Sequence, residues 1–165
     1  MKKFIVSVLL LFPLGLAAQE VKIAIVNTQE VFSLLPELSD VENQIATLYK
    51  QYEDQIKGME EEYNRKFADY TAQSDSLTEN IKILRMQEIQ DIQNRLENFV
   101  PTARQELEKK QSELMTPLRE KIQKAIKDVA EENGYTHVIQ PEVLLYQGST
   151  ALDATDKVKA KLGLK

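Results

Sequence analysis

The middle of this chain carries two series of apolar residues, and each series repeats every 11 residues. The first comprises Val41, Ile45, Leu48, Tyr52, Ile56, Met59, Tyr63, Phe67 and Tyr70. The second comprises Ile81, Ile89, Ile92, Leu96, Val100, Ala103, Leu107, Gln111, Leu114, Leu118, Ile122, Ala125 and Val129. Steps of four, four and three residues average about 3.67 per turn, which keeps one apolar stripe on a straight helix over a long distance. The pattern therefore predicts two long helices packed together as an arm rather than a globule.

A polar segment, residues 71–75, separates the two series. We therefore predict one antiparallel helical hairpin over residues 37–133, with its tip near residues 71–78. Pro101 and Pro117 lie within the return helix, where each removes a backbone hydrogen bond. The apolar series continues across both prolines, which favours kinks over the alternative of a broken helix.

The helix ends are predicted from capping residues. Thr28 can cap a short helix that Pro36 interrupts or kinks. S-x-x-E sequences beginning at Ser39 and at Ser76 are capping boxes and predict the starts of the two arm helices. Gly134 suits the left-handed position that ends the return helix.

Short strands are predicted outside the arm. Residues 21–27 alternate in a way that indicates a strand buried on at least one face. Residues 135–139 and 143–146 are predicted as two further strands joined by a turn, which makes a C-terminal hairpin. Asp153 or Thr155 then caps a final helix.

The region outside the arm is too small to be stable alone. We assign it to residues 19–36 and 134–165, and its structured part, residues 20–27 and 134–165, is about 40 residues long. A unit of this size without cysteine seldom folds without partner subunits. Short strands also leave edges that pair with other chains. We therefore predict a homo-oligomer with a shared β body. The residues assigned to this oligomerisation body are Ile23, Ile25, Phe32, Val138, Ile139 and Leu144.

The first 18 residues have the layout of a cleaved secretory signal peptide. Met1-Lys2-Lys3 is basic, residues 4–16 are largely apolar, and small residues precede Gln19. A membrane anchor would need about 20 apolar residues, and this run is shorter. Loss of Lys2 and Lys3 changes the formal net charge from −5 to −7. An acidic chain of this kind argues against a nucleic-acid partner, because phosphate binding needs a basic face.

The composition gives no support for catalysis, a metal or a cofactor. The chain has no cysteine and one histidine, His137, to which we assign a core or interface role. The usual thiolate and zinc arrangements therefore cannot be built from one subunit. The glycines never fall into the G-x-x-x-x-G-K-[ST] pattern of an ATP-binding loop.

Both ends of the chain carry a family resemblance. Four segments occur in order around the charged hairpin. They are KIAIVN in the first strand, Phe32 in the short helix after it, IQKAIKDVAEENGYTHVI, and the C-terminal LDATDKVKAKLGL. In these features the chain resembles the Skp/OmpH family of periplasmic chaperones over essentially all of residues 20–165.

The resemblance implies a fold and a function. The implied fold is α+β and mostly α. It is a jellyfish-like homotrimer, in which the N-terminal strand and the C-terminal hairpin of each chain form a small β body. The helical arms extend from this body and enclose a cavity. The function is that of an ATP-independent holdase for unfolded outer-membrane proteins. The best-known member is strongly basic, whereas residues 37–75 of this chain carry ten acidic and four basic side chains. That acidity argues against binding to lipopolysaccharide or to a membrane surface, and favours basic client segments instead.

Candidate client contacts are apolar side chains that lie off the two series, because the series should pack inside the hairpin. They are Tyr49, Ile83, Met86, Met115 and Ile126. Two other classes remain open. A prefoldin-like holdase shares hairpin arms but is typically cytosolic, which the signal peptide disfavours. A secreted structural coiled-coil protein of the envelope, without chaperone activity, also fits the arms.

Overall fold

The structure is a computed structural model that describes residues 21–164, so the predicted signal peptide lies outside the described residues. The chain forms four helices and three short strands, with 3₁₀ turns at Ser74–Ser76 and Pro141–Val143. In chain order the elements are β1 (Ile23–Ile25), α1 (Thr28–Ser33), α2 (Pro36–Gln73), α3 (Glu79–Asn133), β2 (His137–Ile139), β3 (Leu152–Asp153) and α4 (Thr155–Lys161). The chain is therefore mostly helical with a small sheet, as predicted.

Helices α2 and α3 form the predicted antiparallel arm. They contain 38 and 55 residues, so α2 alone is roughly 57 Å long at 1.5 Å per residue. Every buried residue of α3 belongs to the second apolar series, and the one buried residue of α2, Val41, belongs to the first. Helix α3 runs without a break through Pro101 and Pro117. The 11-residue repeat thus marks the seam of the hairpin.

The helix starts differ from the predicted capping boxes. Helix α2 begins at Pro36 rather than after Ser39, because proline fits the first helical position, where its missing N–H is not needed. Helix α3 begins after Thr78. Ser76 does not cap it; its hydroxyl instead donates to the carbonyl of Gln73 in the 3₁₀ turn. The turn therefore occupies residues 74–78.

Helix α1 also has a different cap from the one predicted. The Oδ1 atom of Asn27 accepts the N–H of Glu30 at 3.0 Å, so that Asn27 caps the helix and Thr28 is its first residue. At α4, the Oδ1 atom of Asp153 accepts the N–H of Thr155 at 2.8 Å. Hydrogen bonds from the side chain and backbone of Thr155 hold the pKa of Asp153 below its ordinary value. Of the two candidate caps for this helix, Asp153 supplies the bond.

The predicted C-terminal hairpin is wrong, because all three strands are parallel. The order is β2-β1-β3, with Ala24 opposite Val138 on one side and Leu152 on the other. The predicted strand at residues 143–146 is a 3₁₀ turn followed by a loop, since Pro141 begins the turn. The third strand is Leu152–Asp153, a segment for which the sequence predicts only a candidate helix cap, at Asp153.

One core joins the sheet to the base of the arm. It contains Ala24, Val26, Val31, Leu35, Val41, Leu118, Ile122, Ala125, Val129, Ala154 and Val158. Ala24 and Val26 point from β1 into this core, whereas Ile23 on the opposite face is 47% exposed. Ion pairs add to the packing: Lys121 of α3 pairs with Glu37 of α2, and its hydrogen bond lowers the pKa of Glu37. Such exposed pairs contribute little stability on their own, so apolar burial holds the base together.

Gly134 ends α3 in the left-handed conformation, with φ of 67°. An added Cβ there would meet no atom within 4 Å, so any loss of stability on substitution comes from the backbone alone. We expect Gly134→Ala to lower the free energy of unfolding by about 1 kcal/mol. The matched control is Gly58→Ala inside α2, which also meets no atom. It should raise that free energy by about 1 kcal/mol, because alanine is the better helix former. Urea unfolding of both variants measures the two changes, and equal effects would contradict this explanation.

Candidate functional site

An open groove of about 930 Å³ lies between α2 and α3, and we call it the mid-arm groove. Met59, Ile92 and Phe99 supply its apolar side chains. Its polar lining consists of Glu62, Lys66, Glu88, Asp91, Asn94, Arg95, Asn98 and Thr102. The groove thus offers apolar surface bordered by charged and hydrogen-bonding groups.

Two ion pairs cross the mid-arm groove from one helix to the other. Lys66 Nζ lies 2.7 Å from Glu88 Oε2, and this hydrogen bond is the main cause that lowers the pKa of Glu88. Arg95 Nη2 lies 3.4 Å from Glu62 Oε2. Asp91 forms no ion pair with any residue of the described part of the chain. Both cations of the groove are therefore neutralised, and one carboxylate is left free.

A neighbouring aromatic contact positions Phe99. The rings of Tyr52 and Phe99 meet edge to face with their centroids 5.9 Å apart. The hydroxyl of Tyr52 donates to Glu106, and this bond raises the pKa of Tyr52. Phe99 is thereby held between the seam and the groove.

The structure does not bring the five predicted contact residues together. Tyr49 is 59% exposed on α2, and Ile83 and Met86 are 63% and 46% exposed near the far end of the arm. Met115 and Ile126 are only partly exposed, because they pack against the core at the base. Both line a second groove, of about 390 Å³, which also includes Phe32 of α1.

The far end of the arm exposes more apolar surface than the sequence predicted. Phe67 and Ile81 were assigned to the seam, and Leu84 was assigned to neither set, yet all three are exposed. We define the distal patch as Phe67, Ile81, Ile83, Leu84 and Met86. The four apolar residues within positions 81–86 point to different sides of α3, and α2 can cover only one of those sides. That all-round pattern was the signal available in the sequence.

A second group of exposed apolar residues lies around the sheet. Leu145 is fully exposed and Tyr146 is 84% exposed in the loop between β2 and β3. We define the basal patch as Val21, Ile23, Val143, Leu145, Tyr146 and Leu152, all of which are exposed. Of the residues assigned to the oligomerisation body, Ile23 lies in this patch and Ile25 is buried. Phe32, Val138, Ile139 and Leu144 are partly buried.

The single histidine and the acidic side chains are the groups that bear on a catalytic or metal site. His137 is exposed on β2, so it is not a core residue of this chain, and its nearest polar partner is the hydroxyl of Thr136 at 3.1 Å. Residues 21–164 contain no group of three side chains suited to bind a metal. None of the helices in this range is long and apolar enough to span a membrane.

Comparisons with known proteins give the family. The chain matches the profile of the family described as outer membrane protein (OmpH-like) over residues 22–162. It is 30% identical over 151 residues to the chaperone protein Skp of Yersinia enterocolitica, which covers 88% of this chain and 90% of that protein. A crystal structure of a protein described as an OmpH-like outer membrane chaperone, from Caulobacter crescentus, superimposes with a TM-score of 0.74. That alignment covers 86% of this chain and 83% of the other at 13% identity, and it supports the fold alone. The family match and the Skp relative together show that the chain belongs to the Skp/OmpH family.

Proposed function

We propose that this protein is an ATP-independent holdase chaperone of the periplasm, which binds unfolded outer-membrane proteins and prevents their aggregation. The observation that carries the proposal is the distal patch, a set of large apolar side chains left uncovered on a long arm. An arm whose only role were spacing would need a polar surface there. Relatives described as a chaperone and as an outer membrane protein support the kind of client.

The form of the patch suits loose holding rather than tight recognition. Its residues are spread around α3 and α2, and all of them are exposed. Flexible apolar side chains such as Met86 adapt to different partners, which a chaperone with many clients requires. Holding of this kind uses no chemical step and therefore no nucleotide.

Assembly into a homotrimer is part of the proposal. The small sheet leaves the edges of β2 and β3 unpaired within residues 21–164, and the basal patch surrounds it. Exposed edges and apolar side chains of this kind are covered when copies of one chain associate. Arms that hang from one shared body would enclose a client from several sides. We assign residues 19–36 and 134–165 to this body and residues 37–133 to the arm.

The proposal is tested by aggregation of an unfolded outer-membrane β-barrel diluted out of urea. We expect the purified protein to suppress light scattering without nucleotide at about one oligomer per client. Replacement of Tyr49, Ile83 and Met86 together by Ser or Gln should weaken suppression severalfold and leave the oligomer intact. These three side chains are exposed and therefore free to touch a client.

The matched control is the double variant Leu34→Ser and Val100→Ser, which removes exposed apolar side chains that belong neither to the distal patch nor to the candidate client contacts. It should suppress aggregation as the wild type does. Unchanged suppression by the triple variant would reject the three residues as client contacts. No suppression by the wild type would favour a structural coiled-coil protein of the envelope.

A further inference from the structure

We infer that the mid-arm groove binds an extended segment of the unfolded client in which an apolar side chain is flanked by lysine or arginine. The inference rests on the proposed holding function and names the class of segment that the arm prefers. It depends on two properties of the groove, its apolar surface and the sign of its uncompensated charge.

The apolar surface of the groove can accept a client side chain. Ile92 is buried in the seam and forms a fixed surface, while Met59 and Phe99 are partly exposed beside it. A thioether chain adapts its shape to aliphatic and aromatic partners. The groove is largely open to solvent, so an extended chain can enter it without opening the hairpin.

The charge around the groove selects the neighbours of that apolar side chain. Lys66 and Arg95 are already paired with Glu88 and Glu62, whereas Asp91 is unpaired in the described part of the chain. A cationic client residue therefore finds a free carboxylate, and an anionic one finds no free cation in the groove. Besides the paired Glu62, residues 53–61 of α2 add four carboxylates and one lysine, so the neighbouring segment of α2 has the same sign.

The test is a binding titration with three labelled peptides that share one central phenylalanine between flanks of lysine, glutamine or glutamate. Each is titrated with the full oligomer, and fluorescence anisotropy is read. We expect the lysine peptide to bind about fivefold more tightly than the glutamine peptide at low salt, and the glutamate peptide to bind most weakly. At about 0.5 M salt the three affinities should converge, because charges at exposed sites are then screened.

Variants locate the effect in the groove. Asp91→Asn should lower the preference for lysine over glutamine by about twofold to threefold and leave the glutamine peptide unchanged. Met59→Ser should weaken the binding of all three peptides, because it removes part of the apolar surface of the groove. The matched control is Glu108→Gln. Glu108 is an exposed carboxylate on the same helix that forms no ion pair within residues 21–164, and it lies roughly 25 Å from Asp91 along the helix. The substitution removes the same charge beyond the reach of screened interactions and should leave the preference unchanged.

Several results would overturn the inference. Equal losses in Asp91→Asn and Glu108→Gln would assign the preference to the net charge of the arm rather than to the groove. Equal affinities for the three peptides, or no binding, would reject it, while suppression of β-barrel aggregation would still support the proposed holdase. Dissociation of the oligomer in Met59→Ser would show that another copy of the chain occupies the groove. If the protein discriminates between the peptides but does not suppress aggregation, the inferred binding by the groove would still be supported and the proposed holdase function would be refuted.

Discussion

Replacement of Val158 by aspartate is expected to unfold the base of the protein. Val158 lies on α4 and has no solvent exposure, and it belongs to the core that joins the sheet to the arm. An unpaired carboxylate buried there must either lose its hydration or open the core. We expect a loss of about 4 kcal/mol or more, a large fraction of the roughly 5–15 kcal/mol that stabilises a typical domain. Urea unfolding followed by circular dichroism measures it.

Two further substitutions on α4 separate burial from charge. Ala160→Asp adds the same carboxylate at an exposed position of the same helix and should change the unfolding free energy by less than about 1 kcal/mol. Val158→Ala adds no charge and should lower it by about 2 kcal/mol through the lost apolar burial and the cavity left behind. Equal stability of Val158→Asp and the wild type would show that α4 is not part of the folding unit.

The arm was predictable because its pattern is local. Each helix repeats its apolar positions every 11 residues, and a reader of the sequence needs only spacing to find them. The starts of the helices were less predictable. Pro36 and Ser39 both carry start signals within four residues of each other, and the helix begins at the proline, which is favoured at the first helical position.

The sheet was not predictable because strand pairing depends on residues far apart in sequence. Residues 143–146 are more apolar than Leu152–Asp153, yet only the latter pair with β1. Burial of Ala154 and Val158 in the core brings that segment alongside β1, where the N–H of Ala154 donates to the carbonyl of Ile25 at 2.8 Å. A two-residue strand fixed by the packing of the next helix leaves no periodic signal.

The exposure of the candidate client contacts also depends on residues that are far apart in the sequence. Met115 and Ile126 lie off the seam of a two-helix arm, and from the sequence they should be exposed. The structure adds α1 as a third element over this part of α3, so that Phe32 lines a groove with both of them. Ile83 and Met86 lie far from α1 and remain exposed. Only the tertiary arrangement of the short helix distinguishes the two groups.

Replacement of Leu145 and Tyr146 by serine is expected to dissociate the proposed homotrimer. Both side chains are almost wholly exposed in the single chain, in a loop beside a sheet with unpaired edges. Burial of a leucine against a neighbouring copy contributes about 1.5–3 kcal/mol, and each such loss weakens an interface by a factor of ten or more. Sedimentation velocity at micromolar concentration should therefore show an oligomer for the wild type and a monomer for the variant.

The matched control removes similar apolar side chains from the other end of the molecule. Ile83→Ser and Leu84→Ser alter the distal patch and should leave sedimentation unchanged while they weaken client holding. The two double variants should therefore show opposite defects, one in assembly and one in holding. An oligomer that survives the change at Leu145 and Tyr146 would place the interface elsewhere, and a monomeric wild type would refute the shared body. Because a body this small lacks the apolar burial to stand alone, the loop variant should also unfold at a lower urea concentration than the distal variant.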